Sequence, residues 1–100
     1  MTQESITVTK NDTAQRYEAV VDGRRSILQY EQAGDRIVYV HTEVPVALRG
    51  RGIASALVRT ALDDARVHHQ TVVPACPFVS AFIRRHPAYR PLVAPSTVRG

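Results

Sequence analysis

The amino-acid sequence predicts a single α+β domain over residues 1–100, with a mixed sheet that begins as an antiparallel meander and ends in helix, strand, helix. Three observations predict this fold class. Apolar and polar residues alternate in short runs through the first half, apolar residues recur with helical spacing from Ile53 onward, and a short β-branched run follows that helix. A chain of 100 residues has the usual length of one domain and is too short for two.

Four strands with short connections account for the first half. The predicted strands cover residues 6–9, 17–22, 26–32 and 36–44. A turn is expected at residues 10–13, and Asp22-Gly23 is typical of a two-residue hairpin turn. The fourth strand ends at Pro45, which has no N–H to donate to a neighbouring strand. Such short connections predict antiparallel pairing among these four strands.

The residues after Gly52 form an apolar stripe with helical periodicity. Ile53, Leu57, Ala61 and Ala65 recur every four residues, which predicts an amphipathic helix of about four turns. A short buried strand is expected at residues 71–74. Because the helix connects it to the fourth strand as a crossover, these two strands are expected to be parallel.

A second, shorter helix is predicted at residues 78–85, because Pro77 suits the first turn of a helix. Its side chains Phe78, Phe82 and Ile83 are expected to belong to the core or to the wall of a cofactor site, and the spacing favours the core. The tail, residues 88–100, is expected to pack partly against the domain and then to fray.

Composition limits the classes of partner. Thirteen basic residues against nine acidic ones give a net charge of +4, which favours an anionic ligand. Nucleic acid is not expected, because the basic residues are dispersed and no aromatic residues are interleaved with them. No apolar run could cross a bilayer, and residues 1–5 lack a secretory signal, so we expect a cytoplasmic monomer or weak dimer with no membrane partner. The single cysteine, Cys76, predicts no disulfide and no metal site.

The segment over residues 49–54 lies between the end of a strand and the start of a helix. Backbone N–H groups there lack helical partners and the helix dipole adds a partial positive charge, so this segment is expected to bind a phosphate group. Gly50 and Gly52 allow the backbone to approach a bulky anion, and Arg49 and Arg51 add charge. The segment lacks the Gly-Lys-Ser/Thr of a P-loop and the final glycine of a dinucleotide fingerprint.

This segment resembles the Gln/Arg-x-x-Gly-x-Gly/Ala signature of the GNAT superfamily of N-acetyltransferases. The order of strands and helices around it, over residues 27–92, is similar to that fold. The resemblance implies that acetyl-coenzyme A is the cosubstrate and that the loop and helix start bind its pyrophosphate. It also implies that the fourth and fifth strands splay apart, with the pantetheine arm between them and its amides paired with the backbone of residues 42–44. The implied cofactor-binding residues are Thr42, Val44, Arg49, Gly50, Arg51, Gly52, Ile53 and Ala54.

Two short segments resemble a minimal branch of the superfamily. They are residues 41–45, His-Thr-Glu-Val-Pro, and residues 74–77, Pro-Ala-Cys-Pro. Full-length members place two helices between the first and second strands, where only residues 10–15 are available here, too few for one stable helix. The side of the domain that takes the acceptor is therefore expected to be open.

The resemblance also implies transfer of an acetyl group to an amine, carried either by a small molecule or by a protein or peptide. The chemistry needs one group that takes a proton from the amine and one that returns a proton to the departing thiolate. The tyrosine that serves as acid in the family is missing, because Ile83 stands at its position. The candidate catalytic residues are Glu43, Cys76 and His41.

Glu43 is the first candidate base, because it ends the strand beside the loop and shares a face with His41 and Tyr39 by strand alternation. Its alternative role is that of an exposed acid at the end of the strand, or that of a partner of Arg49 or Arg51. His41 is the second candidate base, and its alternative is a hydrogen-bonded structural role.

Cys76 lies at the start of the second helix, where the helix dipole lowers the pKa of a thiol from its usual ~8.5. The thiol is a candidate acid for the departing thiolate or a candidate nucleophile, and its alternative is a small buried apolar residue.

Two other functions stay open for the whole chain. They are a non-catalytic acetyl-coenzyme A binding module, favoured by the missing tyrosine, and a basic nucleic-acid interaction domain.

Overall fold

The structure is a computed structural model and describes residues 6–94. The expectations about a secretory signal in residues 1–5 and about fraying at the end of the tail, residues 95–100, lie outside the described residues. The elements are β1 Thr9–Asn11, β2 Arg16–Val21, β3 Arg24–Ala33, β4 Arg36–Glu43, a 3-10 helix Val46–Leu48, α1 Ile53–Val67, β5 Thr71–Pro74, α2 Pro77–Arg85 and a second 3-10 helix Pro87–Leu92.

The five strands form one sheet in the order β1-β2-β3-β4-β5. The first four pair antiparallel, and β5 pairs parallel to β4, from Arg36 opposite Thr71 to Tyr39 opposite Pro74. The predicted α+β class, the meander and the parallel crossover are therefore confirmed. Beyond β5, Val93 bridges to Val72, so the described part of the tail packs against the sheet as expected.

The first strand and the turn after it differ from the prediction. The strand covers Thr9–Asn11 rather than residues 6–9, and the turn follows at residues 12–15. The polar side chains of this strand find partners that periodicity does not show, because Asn11 donates to Glu18 and Lys10 lies over the rings of Tyr17 and Tyr30. These contacts extend the pairing with β2 past the expected turn.

The core lies between the sheet and the two helices. The apolar stripe of α1 is buried against inward-facing side chains of β3, β4 and β5. Tyr39 belongs to this layer, since it is fully buried and its hydroxyl donates to the carbonyl of Ala61 at 2.8 Å. The second helix packs beside the first, with the Arg59 guanidinium 5.3 Å from the ring of Phe82. Both helices therefore cover the same face of the sheet.

A β-bulge at Val40 determines which residues of β4 face the helices. Tyr30 pairs with Tyr39 and Gln29 pairs with His41, so Val40 has no partner on β3. An extra residue reverses the alternation of side chains along a strand. Residues before and after the bulge therefore do not follow a single alternation.

The bulge places Tyr39 and Thr42 on the helix-facing side, because Thr42 pairs with the fully buried Leu28. His41 and Glu43 lie on the opposite face. The expectation that Glu43 and His41 share a face with each other is confirmed, whereas the expectation that Tyr39 shares it is wrong. The alternation on which it depended is interrupted at Val40.

Candidate functional site

A cleft opens where β4 extends beyond β5. β5 ends at Pro74, opposite Tyr39, while β4 continues to Glu43, so residues 40–43 have no partner on that side within the described sheet. The N–H of Cys76 still donates to the carbonyl of Tyr39 at 2.8 Å, after which the chain enters α2 and diverges from β4. The resulting cleft has a volume of about 650 Å³. It is lined by His41, Thr42, Glu43, Val44, Leu48, Arg49, Gly50, Gly52, Ile53, Ala54, Ser55 and Phe78.

Two glycines shape the loop on one side of the cleft. Gly50 has φ 82° and Gly52 has φ 80°, a left-handed conformation that residues with a Cβ rarely adopt. A Cβ added at either position would meet no atom within 4 Å. The backbone conformation therefore favours glycine at both positions, and the space in front of the loop is open to a ligand.

The amino end of α1 presents unpaired backbone donors to this space. The first helical hydrogen bond runs from the N–H of Ala56 to the carbonyl of Gly52 at 3.0 Å, so the three preceding N–H groups have no helical acceptor. Gly52, as the N-cap, has no side chain to bond them, and the first turn contains no acidic residue. The residues that carry the three unpaired N–H groups, Ile53, Ala54 and Ser55, all line the cleft. The arrangement favours an anion at this position.

The two loop arginines differ in their surroundings. Arg49 lines the cleft, and its Nε lies 3.4 Å from the carbonyl oxygen of Val44, a long hydrogen bond. Arg51 is absent from the lining, and its Nη1 donates to Oδ2 of Asp22 at 2.8 Å. The predicted contact of Arg51 with a bound anion stays a prediction.

Cys76 lies directly behind the wall of the cleft. Its side chain is 4% exposed, and Sγ lies 3.2 Å from Oγ1 of Thr42, which does line the cleft. Burial raises the pKa of the Cys76 thiol, but hydrogen bonds from the Thr42 hydroxyl and from backbone N–H groups at the start of α2 and at Thr42 outweigh burial. The pKa of this thiol therefore lies below its ordinary value.

His41 and Glu43 lie together at the cleft. His41 Nε2 and Glu43 Oε1 are 3.8 Å apart, and both side chains are exposed to solvent. Within residues 6–94 the partner of the Glu43 carboxylate is the His41 imidazole, an ion pair only when that imidazole is protonated, so a pairing of Glu43 with Arg49 or Arg51 finds no support there. The two candidate bases are neighbours on one face of the strand.

Three lining residues were not assigned to the site from sequence. Ser55 belongs to the first helical turn, and the rule that identified Ile53 and Ala54 also predicts its free N–H. For Phe78 the favoured core position is wrong and the alternative, the wall of a cofactor site, fits, because its side chain is 37% exposed and lines the cleft. Phe82 and Ile83 are buried as expected. Leu48, in the 3-10 helix before the loop, is buried and also reaches the cleft.

The family model for GCN5-related N-acetyltransferases matches residues 16–92 of the chain. The protein belongs to the GCN5-related N-acetyltransferase family. The chain is 44% identical over 69 residues to Protein NATD1 of Bos taurus, a match covering 63% of this chain and 57% of that protein. It is 41% identical over 64 residues to Protein NATD1 of Homo sapiens, covering 63% and 57%. The chain thus spans less than two thirds of the length of these relatives.

The fold is also similar to a solved structure. The NMR solution structure of a GCN5-like protein from Staphylococcus aureus superimposes with a TM-score of 0.68 at 17% sequence identity, over 96% of this chain and 93% of that one. The chain has a short form of this fold, because residues 12–15 alone separate β1 from β2 and form no helix. The predicted short GNAT-like architecture is confirmed.

Metal sites and membrane-spanning helices are both absent from the described part of the chain. Within residues 6–94, no three or more His, Cys, Asp or Glu side chains come close enough together to hold a metal ion. In the same part of the chain, no helix has the length and apolar character needed to cross a membrane. The family generally uses acetyl-coenzyme A, and the unpaired N–H groups and open space beside Gly52 fit the pyrophosphate of that molecule.

Proposed function

We propose that this protein transfers an acetyl group from acetyl-coenzyme A to an amine. The observation that carries the proposal is the uncapped amino end of α1, which faces an open cleft behind two left-handed glycines. Such a helix end binds phosphate through its N–H groups and its dipole. Its position beside the unpaired end of β4 matches the place where the family's acetyl donor would run.

The loop before α1 binds the pyrophosphate of the donor, and the end of β4 binds its pantetheine arm. The N–H groups of residues 53–55 bind the pyrophosphate, and Arg49 adds a charge-assisted contact from the lining of the cleft. The Thr42 N–H points toward the β5 side, since it hydrogen-bonds the Cys76 sulfur. Strand alternation directs the Val44 N–H to the same side, where β5 has ended, so this group is available to the pantetheine arm.

The donor, when bound, supplies the thioester that an amine attacks. The protein contributes two proton transfers, one from the attacking amine and one to the departing sulfur. Glu43, next to His41, takes a proton from the attacking amine. Cys76 returns a proton to the departing sulfur through the hydroxyl of Thr42, because the thiol itself lies behind the cleft wall. This burial favours the acid role of Cys76 over the nucleophilic one.

Replacing Cys76 with alanine or serine is expected to lower kcat for acetyl transfer by about tenfold or more, a modest share of what general acid catalysis supplies. Serine keeps a hydroxyl beside Thr42 but is a far weaker acid, so it should not rescue the activity. The KM for acetyl-coenzyme A is expected to stay unchanged, because Cys76 does not line the cleft. Steady-state kinetics of both variants measure this, and unchanged transfer in the alanine variant removes Cys76 from the mechanism.

The proposal is tested by a thiol-release assay with acetyl-coenzyme A and a panel of amines that includes a polyamine, an amino acid and a lysine peptide. Isothermal titration with coenzyme A is run beside it. Thiol release that depends on an amine supports the transferase. If coenzyme A does not bind, the proposal is wrong.

A second candidate is a non-catalytic module that binds acetyl-coenzyme A. It is favoured by Ile83, which occupies the position of the family's tyrosine and is buried at 5% exposure, so no phenol reaches the donor from there. Binding of coenzyme A without thiol release toward any amine identifies this function.

The acceptor amine, the cytoplasmic location and the monomeric or weakly dimeric state stay predictions.

A further inference from the structure

The β2–β3 turn lies beside the phosphate-binding loop. It contains Asp22 and Gly23, with φ 51° and 74°, which place both residues in the left-handed region that a two-residue hairpin needs. β4 runs antiparallel to β3, with Glu43 opposite Ile27, so the carboxyl end of β4 returns to this end of the sheet. The loop that follows β4 therefore comes close to the turn.

An ion pair joins the turn to the middle of the loop. Oδ2 of Asp22 accepts a hydrogen bond from Nη1 of Arg51 at 2.8 Å, across 29 positions of sequence. Arg51 stands between Gly50 and Gly52, the two loop residues with left-handed backbone. At the beginning of the loop, the N–H of Arg49 donates to the carbonyl of Val46 at 3.2 Å.

We propose that Asp22 is a positioning residue for the diphosphate of the acetyl donor. It fixes the Gly50–Gly52 segment through Arg51 and so preorganises the N–H groups at the start of α1. The inference rests on the proposed function, since it concerns the same binding site. A loop that contains two glycines loses much conformational entropy when it becomes ordered. If the loop is already ordered before the ligand binds, this cost is not part of the binding free energy, and the affinity for the ligand is higher.

Simple electrostatics predicts the opposite sign. Asp22 carries a negative charge close to a site for a polyanion, so removing that charge, taken alone, strengthens the binding of coenzyme A. Removing an ion pair that orders the loop, in contrast, weakens the binding of coenzyme A. The sign of the change in affinity therefore separates a positioning role from a mere neighbouring charge.

The experiment compares the wild type with Asp22→Asn by isothermal titration with coenzyme A. Asparagine also tolerates the left-handed conformation before glycine, so the turn is retained. Asp35→Asn is the matched control, because Asp35 lies at the turn between β3 and β4, at the other end of the sheet, and forms no side-chain ion pair within residues 6–94. Arg51→Gln removes the same ion pair from its other side.

The Kd of Asp22→Asn for coenzyme A is expected to rise about two- to fivefold, the ratio that corresponds to the energies of exposed ion pairs. Asp35→Asn is expected to bind as tightly as the wild type or slightly more tightly. In steady-state kinetics the KM for acetyl-coenzyme A rises in Asp22→Asn while kcat is unchanged, a split that general destabilisation of the fold does not produce. The double variant Asp22→Asn/Arg51→Gln is expected to add nothing to either single variant.

Unchanged or tighter binding of coenzyme A by Asp22→Asn overturns the positioning role while leaving the proposed function intact. Absence of coenzyme A binding in the wild type overturns both. If Asp22→Asn does not fold, Asp22→Gly supplies the decision, because glycine also adopts the left-handed backbone of this turn and removes the same carboxylate. Weakened binding in Arg51→Gln that Asp22→Asn does not reproduce also contradicts the proposal, since it assigns the effect to a direct contact of Arg51 with the ligand.

Discussion

Gly52→Asp is expected to weaken the binding of coenzyme A at least about a hundredfold while the protein stays folded, because a carboxylate would stand against the diphosphate. Gly52 is the N-cap of α1, and the free N–H groups of Ala54 and Ser55 are those that an N-cap aspartate bonds. The new side chain would thus repel the ligand and also occupy the donors that the ligand needs. Isothermal titration with coenzyme A measures the loss.

Folding of this variant is expected to survive, because the expected loss of about 1–2 kcal/mol is smaller than the roughly 5–15 kcal/mol by which domains are stable. The left-handed backbone at φ 80° costs a residue with a Cβ about 1–2 kcal/mol, and an aspartate cap is better than the present glycine cap by only roughly a few tenths of a kcal/mol. No atom lies within 4 Å of the added Cβ, so no clash is added. A thermal unfolding curve checks this point.

Gly34→Asp is the matched control for this substitution. Gly34 also has a left-handed backbone, with φ 64°, and open space around its Cβ position, but it lies in the turn between β3 and β4. It imposes the same strain and the same charge at the opposite end of the sheet. Coenzyme A affinity that falls equally in both variants, or that survives within tenfold in Gly52→Asp, contradicts the site described above.

Glu43→Gln is expected to lower kcat by about a hundredfold, the low end of what a positioned general base contributes, with an unchanged KM for acetyl-coenzyme A. Glutamine has the shape of glutamate but does not accept a proton from the attacking amine. The side chain is exposed, so little effect on stability is expected. Steady-state rates at saturating amine measure the change.

Glu31→Gln serves as the control, because Glu31 is also exposed, pairs with Val38 on the same outer face of the sheet, and forms no ion pair among the described side chains. Its kcat is expected to equal that of the wild type. A Glu43→Gln variant that keeps full activity assigns the base elsewhere. His41→Gln then tests the neighbouring imidazole, which lies 3.8 Å from the carboxylate.

Local features of the fold could be predicted well from sequence. The start of α1 at Ile53, the bounds of β5 at residues 71–74 and the hairpin at Asp22-Gly23 all depend on a few neighbouring residues. The anion site depends on the same local rules, since a loop with two glycines followed by a helix leaves its first N–H groups unpaired. The features predicted correctly are those whose physical causes lie within one or two turns of chain.

Contacts between distant segments could not be predicted. The bulge at Val40 lies in a run of β-branched and aromatic residues with no glycine or proline to mark it, yet it separates Tyr39 from His41 and Glu43. The ion pair of Asp22 with Arg51 depends on how the β4 end returns to the hairpin. The exposure of Phe78 likewise depends on where β5 ends, because the cleft opens beyond Pro74.

Backbone amide NMR during a titration with coenzyme A tests the central claim most directly, because the claim concerns particular N–H groups. The account predicts that the largest shift changes occur at residues 50–55, with smaller changes along residues 42–44. Saturating coenzyme A that leaves the amides of Ile53, Ala54 and Ser55 unmoved, with the largest changes on another part of the sheet, would contradict it.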